Sequence, residues 1–154
     1  MSARPYTQVP FTATVEHSTK MGGAVEPINW LAVILAANLA VGVGIVWHGP
    51  LFRTGRPMLE GPGGAPRNYG VVVLVMLIGA LMLGHNFARN GSATLAAKPW
   101  LYFMQSGGIA LAFVIPAIWL SQARAGQPWR ARLIDCLFWL AAYLAMGLTF
   151  WALR

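Results

Sequence analysis

Four stretches of this chain, 28–48, 69–87, 100–120 and 133–153, are each long and apolar enough to cross a bilayer. A spanning helix needs about 20 mostly apolar residues. Each stretch meets that length with no Lys, Arg or Glu inside it, and its only acid is Asp135, at the edge of the fourth. Lipid offers the backbone no hydrogen-bonding partner, so each segment must satisfy its amides internally. The expected fold is an all-α membrane protein: four transmembrane helices in an antiparallel bundle over 28–154, preceded by a polar tail over 1–27 that is irregular or extended.

The residues outside the spans are too few and too broken to form a second core. The first link, Leu51–Asn68, holds Gly55, Pro57, Gly61, Pro62, Gly63, Gly64 and Pro66; the second, Ala88–Pro99, carries the turn signal Asn90-Gly91-Ser92; the third, Ser121–Arg132, contains Gly126 and Pro128. The tail has three prolines (Pro5, Pro10, Pro27) and no apolar run, so the first span is expected to act as the insertion signal. Trp30 and Trp47 bracket the first span, Trp100 and Trp119 the third, Tyr69 opens the second and Trp151 closes the fourth. Amphipathic rings prefer the headgroup level, which places the boundaries independently of hydropathy. Trp139, two turns inside the last span, reads as a packing residue.

Only 10% of residues are charged, against about 25% in a soluble domain. The formal net charge of +7 comes from Lys and Arg scattered through the loops, without a basic run. The expected partners are therefore membrane lipids, not nucleic acid. The tail, second link and C-terminus hold Arg4, Lys20, Arg89, Lys98 and Arg154; the first and third links hold Arg53, Arg56, Arg67, Arg124, Arg130 and Arg132. The excess on the linking side, with Arg4 far from the membrane, directs both termini away from the cytoplasm.

Small residues recur at helical spacing: Ala36, Ala40 and Gly44; Ala80 and Gly84; Ser106 with Ala110 and Gly108 with Ala112; Ala141 and Ala145. Such rows let helices approach closely in lipid, within the bundle or against a second chain. Asn38 is the most pointed polar residue, at the middle of the first span. An interior contact is expected for it, with Tyr143 at the same depth on the fourth helix, while Gln105 and Thr149 fall in the half nearer the termini.

Catalytic and metal constellations are missing from the pattern. His48 and His85 end their spans on opposite sides, about 30 Å apart, too far to share one metal ion. Each alone is a weak cofactor candidate, suited to an axial pigment ligand on a neighbouring protein; no cofactor is predicted. Asp135 suits a helix N-terminus and is expected to form a headgroup-level ion pair with Arg130 and Arg132. Cys136 is the single cysteine, so no intrachain disulfide is possible, and a thiol in an apolar helix reads as packing. No Gly-x-Ser-x-Gly elbow or phosphate loop occurs.

Asn29-Trp30, then a small-residue apolar helix ending in Trp47-His48-Gly49-Pro50-Leu51-Phe52, resembles the domain-of-unknown-function 1761 family of small bacterial membrane proteins. Gly108, Phe113, Pro116, Pro128-Trp129, Ile134-Asp135 and Met146-Gly147 extend the resemblance in order from Pro27 to Leu153. The family commonly has Tyr where His48 stands. A basic-aromatic stretch usually follows Phe52, where this chain has a Gly/Pro-rich loop, and the tail is an addition. The resemblance implies a four-helix integral membrane protein and transfers no catalytic residue.

These readings lead to a non-catalytic, multi-pass subunit of the bacterial inner membrane, packed within or against a larger assembly of the respiratory or photosynthetic kind. The expected partners are other membrane subunits or a second copy. The alternative is a small-solute carrier or channel, whose polar row would comprise Asn38, Gln105, Ser106, Tyr143 and Thr149.

Overall fold

The computed structural model describes residues 26–53 and 69–154. The expectations for the tail before Glu26 and for most of the first link lie outside the described residues. Among those described, every long element is helical: α1 (Trp30–Val46), α2 (Tyr69–Asn90), a short α3 (Ser92–Ala97), α4 (Trp100–Arg124) and α5 (Trp129–Ala152). At 1.5 Å per residue, the 24 residues of α5 reach about 36 Å, enough for a hydrocarbon core of about 30 Å.

Local chemistry sets the ends. Asn29 caps α1, its side-chain oxygen accepting from the Ala32 amide at 3.0 Å, which satisfies one of the orphan donors of the first turn. Its Nδ2 donates to the Leu153 carbonyl at 3.0 Å, so the same side chain ties the start of α1 to the end of α5. Gly91 breaks the chain between α2 and α3 with φ +77, a conformation that favours glycine. At the end of α4, Gly126 has φ +67; its amide donates to Ala123 and the Gln127 amide to Gln122, the paired bonds of a Schellman motif. Asn29→Ala removes both the cap and the tie. It should lower stability in detergent by about 1–2 kcal/mol, with faster exchange of the Ala32 amide by hydrogen-exchange mass spectrometry.

The helices are antiparallel. Asn29 joins the start of α1 to the end of α5, and Trp47 Nε1 donates at 3.2 Å to the Ile134 carbonyl near the start of α5. Helices α1 and α5 form the central pair, with α2 against α1 and α4 against α5. The short α3 separates α2 from α4, which meet chiefly where the rings of Phe87 and Tyr102 lie 4.7 Å apart.

Small residues form the α1 seam as expected: Ala36, Ala40 and Gly44 are buried, alongside Ala32, Val33 and Ala37. Ala80 and Gly84 are likewise buried on α2, and Ser106 and Ala110 on α4. The Gly108–Ala112 row is corrected, because both residues are exposed and nothing lies within 4 Å of a Cβ at Gly108. Its neighbour Gly107 faces inward, where a Cβ would sit 3.2 Å from Leu144. On α5 the buried face is Phe138, Ala142, Met146, Gly147 and Phe150, while Ala141 and Ala145 are half-buried at its flank. Trp139 packs against the core, as expected.

Leu, Ile, Val and Phe cover the outside. Ile34, Leu39, Leu74, Ile78 and Phe113 are all exposed within the spans. An apolar girdle of that extent would aggregate in water. In a bilayer it is the lipid-facing surface, and the protein is a multi-pass membrane protein.

Candidate functional site

Three places bring polar groups together: the end carrying the first and third links, the middle of α1, and the end where the described chain starts and finishes. At the linking end, α1 widens into a π-helical turn over Trp47–Leu51, which contains Pro50. Helix α4 widens in the same way over Ala110–Val114, just before Pro116. Proline lacks an N–H and its ring crowds the carbonyl four residues earlier, so the helix relaxes by inserting a residue. Such turns recur at functional sites.

The first widened segment, and the residue that follows the second, contact the N-terminal half of α5. Trp47 reaches the Ile134 carbonyl, the Cys136 thiol lies 3.9 Å from the Ile115 carbonyl, and the His48 ring meets Phe138 edge-on at 4.9 Å. The expected Asp135 ion pair is corrected here. The Asp135 carboxylate accepts from the Gln122 side-chain amide of α4. Arg132 Nε donates to the Gln127 carbonyl at 2.7 Å, and its guanidinium lies 5.8 Å from the Trp119 ring centre. Arg130 stacks over Trp129 at 5.6 Å. Interfacial rings and a loop carbonyl hold the guanidinium groups at headgroup level, while Asp135 turns toward α4. Gln122 was not legible as its partner, because the two residues come together only through the α4–α5 turn.

The histidines occupy separate ends. His48 lies against Phe138, whereas His85 is exposed on α2 two residues before Phe87, whose ring packs 5.1 Å from Phe150. Phe138 and Phe150 are about 18 Å apart along α5. No group of three metal-ligating side chains exists among the described residues.

Asn38 overturns the expected interior contact. It is exposed, on the outer face of α1, and its Nδ2 donates at 2.8 Å to the Ile34 carbonyl one turn back. The seam positions of α1 are taken by alanines, and a helix period then leaves Asn38 on the opposite side. Tyr143 turns to α2 instead: its hydroxyl lies 3.3 Å from where a Cβ on Gly79 would stand. Ser106 and Thr149 bond within their own helices, Ser106 donating to the Tyr102 carbonyl at 2.8 Å and Thr149 to the Ala145 carbonyl at 3.0 Å. Gln105 is half-buried, its Oε1 without a hydrogen-bond partner among the described residues. The polar row of the carrier reading therefore loses Asn38.

At the terminal end lies a cavity of about 420 Å³. Gly84, Phe87, Leu95, Tyr102 and Phe150 supply apolar walls, and Glu26, Asn29, Ser92 and Arg154 supply polar groups. Glu26 is its organising residue. Its amide donates to the Ala88 carbonyl at 3.3 Å, and its Oε1 accepts from both the amide and the hydroxyl of Ser92, each at 2.9 Å. The carboxylate thereby pins α3 beside the bundle. No local pattern announces a pairing between residues 66 positions apart, so Glu26 and Ser92 were missed.

No curated protein and no solved structure matches the chain. A family model described as a protein of unknown function (DUF1761) matches residues 31–151, a range that reaches from the first turn of α1 to the last turn of α5. This four-helix membrane protein belongs to the DUF1761 family.

Proposed function

We propose that the protein is a non-catalytic integral membrane subunit that seats the outer face of α1 against a transmembrane helix of another subunit. Its setting in this reading is a bacterial inner membrane, with both termini on the non-cytoplasmic side.

The observation that carries the reading is the outward amide of Asn38. An asparagine side chain offers two donors and two acceptor lone pairs, and among the described residues only one donor is used, on Ile34. Lipid cannot satisfy the rest, at a cost of several kcal/mol for a fully unpaired group. A neighbouring helix can, and such interhelical bonds contribute about 1 kcal/mol. Gly42, one turn along the same face, has nothing within 4 Å of a Cβ position. It leaves room for the partner's backbone to come close.

The test is the mass of the native species extracted from membranes in a mild detergent, with a photo-crosslinking residue at Gly42. The expected result is a crosslinked assembly larger than one chain, which Asn38→Leu weakens about fivefold or more without lowering the helicity of the subunit. The crosslinked mass identifies the neighbour, a different subunit in this reading. Recovery of single chains alone, or of a dimer of this chain alone, would overturn it.

A further inference from the structure

We infer that the cavity at the terminal end binds the headgroup of a zwitterionic lipid carrying a primary ammonium and a phosphate, the chemistry of phosphatidylethanolamine. Its depth suits an amphiphile. The cavity lies between the start of α1, the end of α2, the start of α4 and the end of α5, the level marked by Trp30, Trp100 and Trp151. These rings set the membrane–water interface. The volume of about 420 Å³ falls within the range of small-molecule sites, about 300–1,000 Å³. It accommodates a headgroup and the adjoining glycerol while the acyl chains remain in the bilayer.

The lining combines apolar and charged groups, as an amphiphile requires. Phe87, Leu95 and Phe150 are buried aromatic and aliphatic walls, and Glu26 and Arg154 bring one charge of each sign. The two charges do not neutralise each other. Glu26 commits Oε1 to Ser92 and leaves Oε2 without a partner among the described residues. The Arg154 guanidinium stacks over Trp151 at 5.4 Å and makes no ion pair among the described residues. A carboxylate and a guanidinium around one cavity complement an ammonium and a phosphate. An anionic headgroup would satisfy Arg154 and be repelled by Glu26. A quaternary ammonium would meet the charge of Glu26 but has no N–H to donate to Oε2.

The experiment uses the full chain reconstituted into bilayers of equal parts phosphatidylethanolamine, phosphatidylcholine and phosphatidylglycerol, followed by native mass spectrometry of the released protein. Phosphatidylethanolamine should be retained about tenfold over either competitor, the size of one charge-assisted hydrogen bond. Ala96→Phe, which fills the cavity from an exposed position on α3, should abolish the enrichment with an unchanged thermal unfolding midpoint. Arg154→Gln should reduce it about fivefold or more. Equal retention of the three lipids, enrichment of phosphatidylglycerol, or enrichment that survives Ala96→Phe would overturn the assignment. So would displacement of the lipid by millimolar phosphoethanolamine, which would make the ligand a soluble phosphate instead.

Discussion

Gly147→Ala is expected to destabilise the bundle by about 2 kcal/mol, the usual cost of overpacking a close contact, and Gly147→Leu to prevent recovery of folded protein. Helices α4 and α5 pack so tightly at this position that an added Cβ would come within 2.9 Å of the Tyr102 carbonyl oxygen and 3.1 Å of Ser106 Cβ. The carbonyl belongs to a helix backbone and already accepts from the Ser106 hydroxyl, so it cannot swing aside as a side chain would. In lipid, helix association rests on such close packing, because hydrophobicity does not drive it. The control is Gly108→Ala. With open space around that position, replacing a helical glycine should be neutral or stabilise by up to about 1 kcal/mol. Unfolding in mixed detergent–SDS micelles measures both. Equal effects at the two sites would mean that α4 is rotated from the arrangement described.

Leu83→Ala is expected to cost about 2–3 kcal/mol, whereas Leu74→Ala on the same helix should cost under about 0.5 kcal/mol. Leu83 is fully buried, in line with Met76, Ala80 and Phe87 on the inner face of α2, and Leu74 is 54% exposed. Truncating Leu83 leaves a void among neighbours that cannot all close in, and the lost dispersion contacts are not returned by lipid. Truncating Leu74 exchanges one apolar surface for acyl chains that refill the space. The ratio of the two effects, read from the same micellar titration, reports whether α2 presents this face to α1. It does so independently of the absolute scale.

The residues that carried the sequence reading worked because lipid makes the test simple. A run of about 20 apolar residues bracketed by Trp30 and Trp47, or by Trp100 and Trp119, has one stable form across a bilayer. The α1 seam was legible for a related reason: Ala36, Ala40 and Gly44 repeat at one face, and all three are buried there, as small side chains that let helices come close should be. The rotation of α4 was not legible. Two small-residue rows, Ser106–Ala110 and Gly108–Ala112, compete on that helix, and the π-helical stretch Ala110–Val114 shifts the phase between them. The polar residues were harder still. Depth along the membrane follows from counting, which put Asn38 beside Tyr143, but depth says nothing about the direction around the helix axis.

By itself the sequence determined the solvent, the number of crossings, the antiparallel order that short links impose, and the family. These follow from segment lengths and local termination chemistry, both of which are properties of neighbours in the chain. Only the tertiary structure decided that Asn38 faces outward, that Asp135 meets Gln122, and that Glu26 clasps Ser92 at the rim of a cavity. Those pairings depend on helix rotation, set by which small faces pack closest, and on contacts between residues far apart in sequence. No local pattern encodes either.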